Sequence, residues 1–62
     1  MQTYRFYFLD AEDHIKASDV MTCPDDAAAT TAAASLLEER KGYAAIEVWR
    51  GKDLVHHTRR RA

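Results

Sequence analysis

Large apolar side chains occupy every second position near the start of the chain, where Tyr4, Phe6 and Phe8 alternate with Thr3, Arg5 and Tyr7. A period of two places successive side chains on opposite faces of an extended strand. Thr3–Leu9 is therefore predicted as a strand, and its aromatic content favours that conformation. Asp10-Ala11-Glu12-Asp13 reads as a polar turn, and His14 to about Val20 as the returning strand. With a four-residue loop Leu9 faces His14, and the pairs Phe8/Ile15 and Phe6/Ala17 share one face. Tyr7/Lys16 and Arg5/Ser18 then share the other.

The period changes after Val20. Thr22-Cys23-Pro24-Asp25-Asp26 is a helix start, with proline in the first turn, carboxylates at the positive end of the dipole, and Thr22 or Cys23 as the cap. The helix is predicted from about Pro24 to Arg40, stopping at Gly42. Ala29, Ala33, Leu36 and Leu37, with Ala32, form its apolar stripe. These small side chains imply a close approach of helix to sheet. Alternation returns over Tyr43–Trp49, and Gly51-Lys52 suits a two-residue type II′ hairpin in which Gly51 takes the positive φ. That register pairs Val48 with Val55 and Ile46 with His57 over the helix. It leaves Trp49/Leu54 and Glu47/His56 on the far side.

The pattern gives an α+β fold class: a small β-β-α-β-β domain with a four-stranded sheet from two hairpins and one helix packed on one face. Its expected core is Tyr4, Phe6, Phe8, Ile15, Ala17, Ala29, Ala33, Leu36, Ile46, Val48 and Val55. A single helix covers only one face of a sheet, so the apolar and aromatic groups of the other face need a partner.

Length sharpens this expectation. The chain has 62 residues, enough for one domain spanning 1–62, with 59–62 expected as a frayed basic tail. A domain of this size buries roughly 60% of the surface its unfolded chain exposes, and such domains commonly gain support from disulfides, metals or oligomerisation. With one cysteine, an internal disulfide is excluded. The net charge of −1 hides an asymmetry. Carboxylates dominate the first half, while Arg50, Lys52 and Arg59–Arg61 crowd the end. The absence of a membrane-length apolar run and of a signal-like start gives a cytoplasmic expectation.

Candidate chemistry adds little. His56 and His57 are neighbours on a strand and point to opposite faces, and no paired spacing of metal ligands occurs. Asp25 and Asp26 oppose thiolate formation at Cys23. Asp10-x-Glu12-Asp13 opens like a calcium loop, but Ile15 stands where glycine is needed and Met21 where the closing glutamate is needed. No nucleophilic triad or phosphate-cradling glycine loop is present. The expectation is no enzyme, no cofactor, no metal and no small-molecule substrate. The one constellation with binding chemistry is Arg5, Tyr7, Lys16, Trp49, Leu54 and His56 on the helix-free face. Its first expected use is a homodimer or a protein partner. The alternative is nucleic acid, held by Tyr7/Trp49 stacking with the basic C-terminal end, against which the acidic net charge weighs.

The segments Tyr4-Arg5-Phe6-Tyr7-Phe8-Leu9, Pro24-Asp25-Asp26-Ala27-Ala28-Ala29 and Ile46-Glu47-Val48-Trp49-Arg50-Gly51-Lys52-x-Leu54-Val55 resemble a domain-of-unknown-function family of short bacterial proteins found in rhizobia and related alphaproteobacteria. The resemblance spans nearly the whole chain and implies a β-β-α-β-β domain in a bacterial cytosol, with no assigned activity. Ala17-Ser18-Asp19-Val20-Met21 lacks the glycine that many of those proteins carry before the helix. A weaker likeness, to the antitoxins of a bacterial toxin–antitoxin class, lacks their glycine-rich strand end.

Overall fold

A computed structural model describes residues 1–60 and has the expected element order. Strands β1 (Gln2–Leu9) and β2 (Ile15–Cys23) form the first hairpin. Helix α1 (Asp26–Glu39) follows, then the hairpin of β3 (Ala45–Arg50) and β4 (Asp53–Arg59). The sheet order is β2-β1-β3-β4, antiparallel at every pairing. β2 and β3 therefore run parallel on either side of β1, and α1 is the crossover between them. Such a connection needs a segment about as long as a helix.

The core lies between α1 and one face of the sheet. Tyr4, Phe6, Phe8, Ile46 and Val48 are fully buried from the sheet side, and Ala29, Ala33 and Leu37 from the helix. The buried helix positions are four residues apart, one stripe of an α-helix. Leu36 and Ala32 flank it, half-buried. Asp25, not Thr22 or Cys23, caps the helix, its carboxylate accepting from the Ala28 N–H at 2.8 Å. Cys23 instead ends β2 and is buried. The helix ends without a left-handed glycine: Arg40 is the C-cap, at φ −103°, and Gly51 is the only glycine at positive φ among the described residues. Positive φ at Gly51 without Lys52 is the type II′ arrangement.

Two bulges correct the expected registers. In the first hairpin Asp13 takes a left-handed φ of 65°, and the Asp10 carboxylate accepts from the Glu12 and His14 N–H groups at 2.9 Å each. Side-chain acceptance of local N–H groups is the reason aspartate opens turns. Leu9 then pairs with Ile15, but Phe8 pairs with Ala17, so Lys16 is the extra residue. From there on each β1 residue meets a β2 residue two further along than expected, such as Tyr7 with Ser18 and Phe6 with Asp19. A slip of two keeps every side chain on its face, except at the bulge itself. Ile15 consequently leaves the expected core and is 56% exposed. In the second hairpin Trp49 pairs with Leu54, as expected, but Val48 pairs with His56, leaving Val55 as the extra residue. This slip of one exchanges faces for the rest of β4.

Arg59 and Arg60 are held rather than frayed. Arg59 closes β4, and Arg60 donates to the carbonyls of Tyr43, Leu37 and Arg40. Arg61 and Ala62 lie outside the described residues. No helix among the described residues is long and apolar enough to cross a membrane.

Candidate interface on the helix-free sheet face

Pairing fixes which side chains share the uncovered face. Arg5 lies opposite Val20 on one side and Trp49 on the other, and Trp49 lies opposite Leu54. These four form one row across the sheet. Tyr7 pairs with Ser18 and Glu47, and Glu47 with His57, giving the next row. A shallow depression of about 650 Å³ runs along the face, lined among others by Arg5, Tyr7, Ile15, Glu47, Trp49 and Lys52. The face carries exposed apolar side chains: Ile15, Val20 and Leu54 are each more than half exposed.

Of the six residues expected here, Arg5, Tyr7, Trp49 and Leu54 are brought together. Lys16 and His56 are not. Lys16 sits in the bulge and approaches the Asp10 carboxylate at 3.7 Å. His56, shifted by the Val55 bulge, lies opposite fully buried Val48 and so shares the helix side, while His57 takes its place on the open face. Ile15, Val20 and Lys52 were missed as members. Val20 was legible, being two positions from Ser18 on a strand whose parity was correctly assigned. Ile15 was not, because its position depends on the bulge.

The electrostatics of the face are mixed. The Trp49 indole N–H donates to the Glu47 carboxylate at 3.1 Å, fixing the ring beside the one anion of the two central rows. Arg5 makes no ion pair among the described residues. At the far end of the face, Arg59 donates to Asp13 in the first turn. At the same end Leu9 pairs with Ala45 and Ala45 with Arg59, and Leu9 and Ala45 are buried although they face away from the helix.

Among the described residues no three His, Cys, Asp or Glu side chains are grouped to hold a metal ion. The carboxyl groups of Asp10 and Asp26 lie below their ordinary range. For Asp10 the first cause is the His14 backbone N–H, and for Asp26 the Tyr4 hydroxyl. Both causes are structural hydrogen bonds in a turn and at a helix start.

The chain matches no protein-family model, and no curated protein or solved structure is significantly similar to it.

Proposed function

We propose that this protein is a non-catalytic interaction module that self-associates through the helix-free face of its sheet, as a member of the short bacterial family its sequence resembles. The observation that carries the reading is the row Val20–Arg5–Trp49–Leu54, in which two half-exposed aliphatic side chains flank a cation and an aromatic ring. A thin 62-residue domain gains apolar burial by covering this row, and a two-fold contact covers it with one surface used twice. The edges of the sheet offer a poorer route. Both edge strands carry a bulge, and β2 turns Asp19 toward the helix side, where Arg40 reaches it at 3.3 Å. Bulges and inward charges discourage edge-to-edge pairing.

Single-stranded nucleic acid is the second reading, favoured by Arg5 and Lys52 lining the same depression as Tyr7 and Trp49. The basic end contributes less to it than its composition suggests, since Arg59 is paired with Asp13 and Arg60 with backbone carbonyls. Glu47 at the centre of the face also repels phosphate.

Light scattering at micromolar concentration tests the first reading. The wild-type chain is expected to be a dimer that Trp49→Lys converts to a folded monomer. A stable wild-type monomer overturns it, and salt-reversible binding of single-stranded RNA by that monomer would install the second reading.

A further inference from the structure

The rows across the open face are complementary to themselves when their order is reversed. In the sheet order β2-β1-β3-β4 the first reads Val20, Arg5, Trp49, Leu54 and the second Ser18, Tyr7, Glu47, His57. Reversal matches Val20 with Leu54, each about half exposed. It matches Arg5 with Trp49, a cation with the ring type that binds cations best. It matches Tyr7 with Glu47, a phenol donor with a carboxylate. Reversing the order of strands is what a two-fold axis does when it lies between two stacked sheets, parallel to the strands and midway between β1 and β3.

We propose, resting on the self-association argued above, that the dimer uses this axis. Arg5 of each copy then stacks on the partner's Trp49, Tyr7 donates to the partner's Glu47, and Val20 packs on the partner's Leu54. Packed sheets lie about 10 Å apart with strand directions within about 30° of each other, so the central rows stay in register under this operation. Other axes match the face less well. An axis across the strands and between the two rows stacks Val20 on the partner's Ser18 and Leu54 on the partner's His57. It also sets Trp49 on the partner's Glu47. An axis along β1 brings Arg5 onto the partner's Arg5, two like charges in a desolvated contact.

Disulfide trapping discriminates among them. In a Cys23→Ala background that is first shown to be folded, one chain carries Val20→Cys and another Leu54→Cys; both sites are half exposed, so neither introduced cysteine disturbs the core. Mild oxidation of the mixture is expected to convert most of the protein to the mixed disulfide dimer, while either chain alone stays largely monomeric under denaturing conditions. Adding Trp49→Lys to both chains is expected to abolish the product. Self-linking of the Val20→Cys chain overturns the axis, which carries Val20 of one copy onto Leu54 of the other and away from its own counterpart, and leaves self-association intact. A dimeric background protein with no trapped product in any mixture places the contact on another surface and overturns the proposal. A monomeric background protein removes the reading on which it rests.

Discussion

The Tyr4 hydroxyl donates a 2.6 Å hydrogen bond to the Asp26 carboxylate, joining the first strand to the first turn of the helix. The same oxygen receives Arg50 at 2.7 Å from the end of β3. One carboxylate thus ties three elements together at the helix N-terminus, where negative charge is favourable. It also resolves a problem of burial: Tyr4 is fully buried as a residue, and its phenol needs a partner. The opposite end of the core is closed differently. The Arg40 guanidinium lies 4.7 Å from the Phe8 ring centre, and Tyr43 packs against Phe8 at 5.2 Å.

The first prediction concerns pH. Hydrogen bonding to Tyr4 holds the Asp26 carboxyl below its ordinary range, and the same bond raises the Tyr4 phenol above its own. A lowered carboxyl stabilises the fold above its unfolded value near ~4 and loses that contribution as pH falls through the folded value. A raised phenol contributes below its unfolded value near ~10 and loses its share as pH rises through the folded one. Tyr4→Phe is therefore expected to lower Tm near neutrality and to flatten both limbs of Tm against pH. Part of the acid limb persists through Asp10. Asp26 is about half exposed, so solvent screening keeps the limbs shallow. Thermal unfolding from strongly acid to strongly alkaline solution checks this, and parallel wild-type and Tyr4→Phe curves would refute it.

Much of this frame is visible in the chain, because alternation reports faces whatever the register. Tyr4, Phe6, Phe8, Ile46 and Val48 could be assigned to the core from period alone. The residues that escaped are those whose placement depends on a bulge. Lys16 and Val55 each add one residue to a strand, and nothing in Ile-Lys-Ala or Leu-Val-His marks that insertion. His56 was lost from the candidate face for this reason and Ile15 gained. The turn aspartates were ambiguous in another way. Asp25 and Asp26 both suit a helix start; the first caps through a local bond from the Ala28 N–H, and the second is taken by the long-range bond from Tyr4, which no local pattern contains. Leu9 and Ala45 look like open-face residues by parity, yet they are buried, and the long-range Arg59–Asp13 pair formed at the same end of the sheet is contained in no local pattern.

The second prediction concerns the N-cap. Asp25→Ala removes the acceptor for the Ala28 N–H and is expected to cost about 1 kcal/mol, within a range of about 0.5–2. In a domain of this size that corresponds to a Tm loss of about 4–8 °C. Asp25→Ser restores most of it, since serine caps comparably. A Tm unchanged by Asp25→Ala would place the cap elsewhere.

The third prediction concerns the other helix end. The last turn of α1 has no basic residue of its own, and the Arg60 guanidinium supplies the missing cation from beyond β4 by donating to the Leu37 and Arg40 carbonyls. Arg60→Ala is expected to destabilise by about 1 kcal/mol, and up to about 2 if the site is well desolvated. Arg60→Lys recovers only part, because one ammonium cannot reproduce the planar fork that reaches three carbonyls. Denaturant unfolding of the three proteins measures this. Equal midpoints would mean that Arg60 is not held in solution.

The last prediction uses the single tryptophan as a reporter of the face in dispute. Trp49 is half-buried within one chain, its indole N–H tied to Glu47. Covering that face by a second copy moves the ring into a drier setting, whereas dissociation returns it to water. Dilution through the dissociation range is therefore expected to shift Trp49 emission to the red, with a midpoint that follows the light-scattering transition. Glu47→Gln leaves the indole a carbonyl acceptor but removes the charge that Tyr7 of a second copy would meet, so its midpoint moves to higher concentration. Single-stranded RNA at low salt is expected to leave the emission of the concentrated protein unchanged. Saturable quenching by RNA, reversed by salt, would instead assign Arg5, Tyr7 and Trp49 to phosphate and base contacts and displace self-association as the use of this face.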